Sequence, residues 1–82
     1  MTSIGELEDR QTALIERLNN AGAIIVEEVS PTEPSEGPTS VVWELRGHHI
    51  EVPALDPLQL GRVATMLIEA DARLAELLPQ VR

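Results

Sequence analysis

The feature that most constrains this chain is a long amphipathic pattern in its C-terminal third. Asp56, Pro57 and Gln59 stand in the order of a helix N-cap, a first helical residue and a third helical residue. Apolar residues then recur at alternating spacings of three and four, which is the period of an α-helix with one buried face. Because Pro79 cannot continue a helix, the pattern predicts a helix over about residues 57–78. The apolar stripe consists of Leu60, Val63, Leu67, Ala70, Leu74, Leu77 and Val81.

A second helix is predicted near the N-terminus. Ser3 and Glu6 have the spacing of a capping box, in which each side chain accepts a backbone N–H at the start of a helix. Apolar residues follow with a helical period that only Gln11 interrupts. Gly22 suits the left-handed residue that often follows a helix. We therefore expect this helix over about residues 4–20.

The segment between the helices has the character of three β-strands. Residues 23–29 form a short β-branched run, and residues 41–46 and 49–53 alternate apolar and polar side chains. Residues 30–39 contain three prolines and a glycine and predict a flexible acidic loop. The fold class that follows is α+β in the order α-β-β-β-α, with a three-stranded antiparallel meander sheet packed against two helices. At 82 residues, we expect one domain over residues 1–82.

A tight turn is expected between the second and third strands. Gly47 at the first position of a two-residue type II′ turn would pair Trp43 with Val52 and Glu44 with Glu51. This register places the apolar residues of both strands on one face of the sheet and the charged residues on the other. That separation supports the register, because a one-residue slip would mix the two faces.

The charge of the chain favours some partners over others. Its formal net charge is −8, with fourteen acidic residues, six arginines and no lysine. Phosphate backbones and anionic membranes would be repelled, so neither direct nucleic-acid binding nor membrane binding is expected. A protein partner with a basic surface would be attracted. The charge is also explained by solubility alone.

Candidate chemical sites are few. The sequence has no cysteine and lacks the G-x-S-x-G, P-loop and G-x-G-x-x-G motifs, so we expect neither an enzyme nor a cofactor. On the predicted sheet face, Glu44, His49 and Glu51 form a weak candidate for a metal site. The alternative is that Arg46, on the same face, bridges the two carboxylates.

The apolar surface of the C-terminal helix suggests a function. It is longer and wider than one face of a short three-stranded sheet, so the excess must pack on the first helix or on another molecule. We therefore predict a small acidic protein-binding module, such as an adaptor, inhibitor or assembly factor. A homodimer would bury the excess at a two-fold axis. The predicted partner-binding residues are Leu58, Met66 and Leu77.

Two alternatives remain open from the sequence. One is a nucleic-acid mimic that inhibits a DNA- or RNA-binding protein through carboxylates spaced like phosphates, with Glu6, Asp9, Glu16, Glu69 and Glu76 as candidates. The other is a metal-dependent enzyme that uses the Glu44, His49 and Glu51 face. The N-terminal residues have neither the basic nor the apolar region of a signal peptide, so we expect the cytoplasm.

Overall fold

The computed structural model describes residues 3–33 and 36–78, and the predicted stripe residue Val81 lies outside them. The three strands form one antiparallel sheet in the order β1-β2-β3, which confirms the α-β-β-β-α fold class. A single 3-10 turn, Pro57–Gln59, precedes the second helix. The elements are α1 (Ile4–Asn20), β1 (Ile24–Val29), β2 (Ser40–Leu45), β3 (His48–Pro53) and α2 (Leu60–Leu77).

Both ends of α1 are stabilised by local hydrogen bonds. The backbone N–H of Glu6 donates to the Ser3 hydroxyl oxygen at 3.3 Å. At the other end, the N–H of Ala23 donates to the carbonyl of Leu18 at 2.9 Å. Gly22 lies between them with φ 88°, a left-handed conformation that costs glycine little because it has no β-carbon. The bond from Ala23 to Leu18 across Gly22 belongs to a Schellman-type ending, which satisfies backbone carbonyls that the helix leaves unpaired.

The second helix begins differently from the prediction. Asp56 accepts the backbone N–H of Leu58 at 2.9 Å and the side-chain amide of Gln59 at 3.1 Å. This arrangement caps the 3-10 turn, so the α-helix proper begins at Leu60 and not at residue 57. Its last residue is Leu77. The Asp-Pro pair therefore marks the start of helical backbone but not the start of the α-helical hydrogen bonds.

The predicted register between β2 and β3 is wrong. The turn contains Arg46 at φ 53° and Gly47 at φ 83°, which are the two positive values of a type I′ turn. Gly47 is thus the second turn residue and not the first. A glycine suits either position, and an arginine carries no sequence signal that it would adopt a positive φ.

The corrected register changes which residues of β2 and β3 pair with each other, but it does not change the face of the sheet on which each side chain lies. Trp43 pairs with Ile50 instead of Val52, and Glu44 pairs with His49 instead of Glu51. Each partner moves by two positions, and side chains alternate with a period of two, so the apolar residues still share one face. We call the face that carries Trp43 the inner face and the opposite one the outer face.

The core lies between the inner face and the two helices. α2 packs on β3, and α1 packs on α2. Gln11, which interrupts the apolar period of α1, donates its side-chain amide to the carbonyl of Pro53 at 2.8 Å. The guanidinium of Arg17 lies 2.7 Å from the carboxylate of Asp71 and links the two helices. The buried core residues include Leu7, Leu14, Leu18, Trp43, Leu45, Ile50, Val52, Val63, Leu67, Ala70 and Leu74.

Within residues 3–33 and 36–78, neither helix combines the length and the hydropathy that crossing a lipid bilayer requires.

Candidate protein-binding surface

The first strand, β1, is an exposed edge strand. It pairs with β2 on one side, and the sheet order leaves its other side at the edge. Its first three residues are large and apolar, yet Ile24 and Ile25 are each 58% exposed and Val26 is 45% exposed. We call these three residues the β1 apolar segment. They account for half of the six large apolar side chains that are exposed in the described part of the chain.

The position of the helices explains this exposure. α2 packs on β3, at the opposite edge of the sheet, and α1 packs on α2. Ile25 pairs with Trp43 and therefore belongs to the inner face, while Ile24 pairs with Glu44 on the outer face. A β-bulge lies between Ile25 and Glu27. The β1 apolar segment consequently presents side chains to both faces of the sheet beyond the cover of α2.

An apolar groove runs beside β1 on the inner face. Its volume is about 520 Å³. α1 contributes Ile15 to one wall, and the sheet contributes Ile25 and Trp43. Trp43 is only 6% exposed, so it belongs to the core and also forms part of the groove. The groove, which we call the β1 groove, therefore connects an exposed strand edge with the main hydrophobic core.

The second half of β1 is acidic. Glu27 and Glu28 are both exposed, and they pair with Val42 and Val41 of β2. Charges and bulges on an edge strand are devices that prevent unspecific pairing with other strands. The strand thus combines an apolar half, which ends at the bulge, with an acidic half.

The predicted partner-binding residues do not form one patch. Leu58 lies in the 3-10 turn before α2 and is 93% exposed. Leu77 is the last residue of α2 and is partly buried against the core. The α-helix between these positions is about 26 Å long at 1.5 Å per residue. Met66 is half-buried midway along the helix, where it lines a groove with Val29 and Pro31.

The apolar stripe of α2 is buried within a single chain. Val63, Leu67, Ala70 and Leu74 are at most 4% exposed. The sequence suggested that the excess apolar surface of α2 packs either on α1 or on another molecule. In the structure, α1 packs on it. Ile68, at 56% exposure, is the large apolar residue within α2 that remains exposed.

The corrected register separates Glu51 from the other two residues of the weak candidate metal site, Glu44 and His49. His49 Nε2 lies 3.9 Å from Glu44 Oε2. Glu51 instead accepts a hydrogen bond from the hydroxyl of Ser40. The guanidinium of Arg46 donates to the carbonyl of Leu77 at 3.2 Å, so it caps the end of α2 and does not bridge the carboxylates. Residues 3–33 and 36–78 contain no group of three histidine or acidic side chains placed to hold a metal ion.

The carboxylates proposed for nucleic-acid mimicry are all exposed and lie on the two helices. They are Glu6, Asp9 and Glu16 on α1 and Glu69 and Glu76 on α2. On α2, Arg73 lies one helical turn from both Glu69 and Glu76. A cation therefore interrupts the acidic row on that helix.

Sequence reasoning identified β1 as a strand but missed it as a surface. A signal was present in the unbroken run of Ile24, Ile25 and Val26, which lacks the alternation of β2 and β3. A continuous apolar run is typical of a strand that is covered on both faces. Two helices that pack on each other and on β3 do not supply such cover.

Comparison with known proteins gives no match to a family model, to a curated protein or to a solved structure.

Proposed function

We propose that this chain is a small acidic protein-binding module whose binding surface is the β1 apolar segment with the adjoining β1 groove. The observation that carries the proposal is the exposure of three consecutive large apolar residues on an edge strand. Apolar surface on an edge strand is a template for pairing with another chain, and proteins often use it to bind an extended segment.

The lining of the groove favours apolar contact with a partner. Ile15, Ile25, Val41, Trp43 and Val52 line it, so its chemistry is mainly apolar contact. Clefts of this kind gain affinity by removing apolar surface from water, at roughly 25 cal/mol per Å² of area buried. The unpaired backbone groups at the edge of β1 add directional hydrogen bonds, which fix the orientation of a bound strand.

Two expectations from the sequence remain predictions. The cytoplasmic location rests on the lack of cysteine. The homodimer rested on excess apolar surface along α2, and α1 covers most of that surface in a single chain. An interface that included α2 would have to centre on the exposed side chains of Ile68 and Leu58.

Capture of partners from an extract of the native host, followed by their identification, tests the proposal. The wild-type chain is compared with Ile25→Asp, which places a charge in the middle of the proposed surface. We expect the variant to lose partners that the wild-type chain retains, because a carboxylate in an apolar contact loses its hydration without gaining a hydrogen bond.

The matched control is Ile68→Asp on α2. Ile68 and Ile25 are the same residue type and have nearly equal exposure, 56% and 58%. Circular dichroism and urea unfolding establish that both variants are folded. The proposal predicts that Ile68→Asp retains the partners. If Ile25→Asp captures the same proteins as the wild-type chain, or if only Ile68→Asp loses them, β1 is not the binding surface.

A further inference from the structure

We infer that the occupant of the β1 surface is an extended segment of a partner protein with a basic half and an apolar half, added to the sheet as a fourth strand. This inference rests on the proposed function and specifies the chemistry of the partner. It draws on the distribution of charge around the β1 groove and on the two halves of β1.

The charges beside the groove are acidic. Glu27 and Glu28 are exposed on β1 itself. On α1, Glu8 is exposed and precedes the groove residue Ile15 by seven positions, which is close to two helical turns. Glu8 and Ile15 therefore lie in the same stripe of α1, on the side that faces the groove. The exposed side chains on β1 and on this stripe of α1 thus include three carboxylates.

The arginines of the described part of the chain lie on or beside α2. Arg62 and Arg73 belong to α2, and Arg17 pairs with Asp71 of that helix. Arg46 donates to the last residue of α2, and Arg10 lines a small pocket with two α2 side chains. Arg62 also lines a groove with Val29 at the end of β1, but none of these described arginines lines the β1 groove. A complementary partner brings positive charge to the acidic half of β1.

The two halves of β1 determine the pattern of the partner strand. Ile25 lies on the inner face and Ile24 on the outer face, so the first half of β1 presents apolar side chains to both faces. This half favours valine, isoleucine or leucine beside it, in contact with the groove on the inner face. Glu28 lies on the inner face and Glu27 on the outer face, so the second half favours arginine or lysine. In an antiparallel partner strand, a basic half therefore precedes an apolar half.

A second copy of this chain fits the same edge poorly. Antiparallel pairing along the whole strand would place Ile25 opposite Glu28 of the second copy and Val26 opposite Glu27 of the second copy. Four carboxylates would then meet at the centre of the interface without a cation. A shifted register that pairs Ile24 with Val26 of the second copy avoids this repulsion but joins only three residues of each strand. Like charges at neighbouring cross-strand positions destabilise pairing.

The test uses synthetic peptides as probes and fluorescence anisotropy as the readout. One labelled peptide of eight residues has arginines in its first half and valines in its second, another has glutamates in place of the arginines, and a third is the valine–arginine peptide with proline at its centre. We expect the wild-type chain to bind the first peptide at least about tenfold more tightly than either of the others. The glutamate peptide meets like charge, and the proline lacks a backbone N–H for the sheet.

Matched variants distinguish attraction of the peptide by the carboxylates of β1 from attraction by the overall negative charge of the chain. The double variant Glu27→Gln, Glu28→Gln should bind the valine–arginine peptide about threefold to tenfold more weakly, which corresponds to two exposed ion pairs. The double variant Glu69→Gln, Glu76→Gln removes the same charge from exposed sites on α2. It should bind the peptide like the wild-type chain, apart from a small change in the long-range field.

Several outcomes would overturn the inference. One is that the wild-type chain binds the valine–arginine and valine–glutamate peptides equally or binds neither. Another is that the two double variants weaken binding of the valine–arginine peptide equally. A third is that the wild-type chain is a dimer in sedimentation equilibrium and that Ile25→Asp dissociates it. In each case, partners that Ile25→Asp loses in the capture experiment would still support a binding role for β1. The proposed function fails separately, if Ile25→Asp retains every partner.

Discussion

The two outer strands of the sheet have equal length and opposite environments. β3 has six residues, of which Ile50, Val52 and Pro53 are buried. β1 also has six residues, and every one from Ile24 to Glu28 is exposed. The exposed strand is the more apolar of the two, since it contains four large aliphatic residues against two in β3. Burial in this sheet therefore follows the position of α2 and not the hydropathy of the strand.

This difference shows which apolar side chains of the sheet do not contribute fully to the stability of the chain. Full burial of a side chain of this size contributes about 1.5–3 kcal/mol relative to leaving it exposed. The apolar residues of β3 gain that contribution within the chain, whereas most of those of β1 do not. Contiguous exposed apolar surface on a small protein commonly marks an interaction site. The contrast between the two edges is therefore the basis of the proposed function.

The largest expected effect comes from the same substitution on the two strands. Ile50→Ala on β3 should lower the free energy of unfolding by about 2–5 kcal/mol, because Ile50 is 1% exposed and the change leaves a cavity. Ile25→Ala on β1 should lower it by less than about 1 kcal/mol, because the side chain already contacts water. Urea unfolding measures both values, and equal losses would remove the contrast between the strands.

A smaller effect is expected from Gln11, which links α1 to the covered edge of the sheet. Gln11→Ala should lower the free energy of unfolding by about 1–2 kcal/mol, because the part-buried carbonyl of Pro53 would lose its hydrogen bond. Thr12→Ala, at the next and exposed position of α1, is the control and should change stability by less than about 0.5 kcal/mol. A Gln11 variant as stable as its control would show that this bond does not hold α1 near β3.

Much of the architecture is predictable from the sequence because local signals agree with it. The Ser3 and Asp56 caps, Gly22 and the helical periods indicate two helices, and the alternation of β2 and β3 indicates two paired strands. The turn type was ambiguous because Gly47 suits either of two positions. That ambiguity decided the pairing of Glu44, and with it the geometry of the candidate metal site.

The exposed surface of β1, on which the proposed function rests, could not be predicted in the same way. Whether Ile24 and Ile25 are buried depends on where α1 and α2 pack, which is a property of the tertiary structure. The apolar stripe of α2 indicated that something must cover it but did not distinguish α1 from another molecule. The prediction of Leu58, Met66 and Leu77 depended on that choice and stays a prediction. The structure places Leu58 in the 3-10 turn before α2 and the other two residues within α2.

Hydrogen–deuterium exchange of the chain, alone and in complex with a captured partner, tests the central claim most directly. An edge strand without cover exchanges its outward backbone N–H groups readily, and a strand added by a partner protects them. We predict that protection on binding is largest at Ile24–Val29 and extends to the groove wall of α1. Protection confined to α2, with unchanged exchange in β1, would contradict the assignment of β1 as the binding surface.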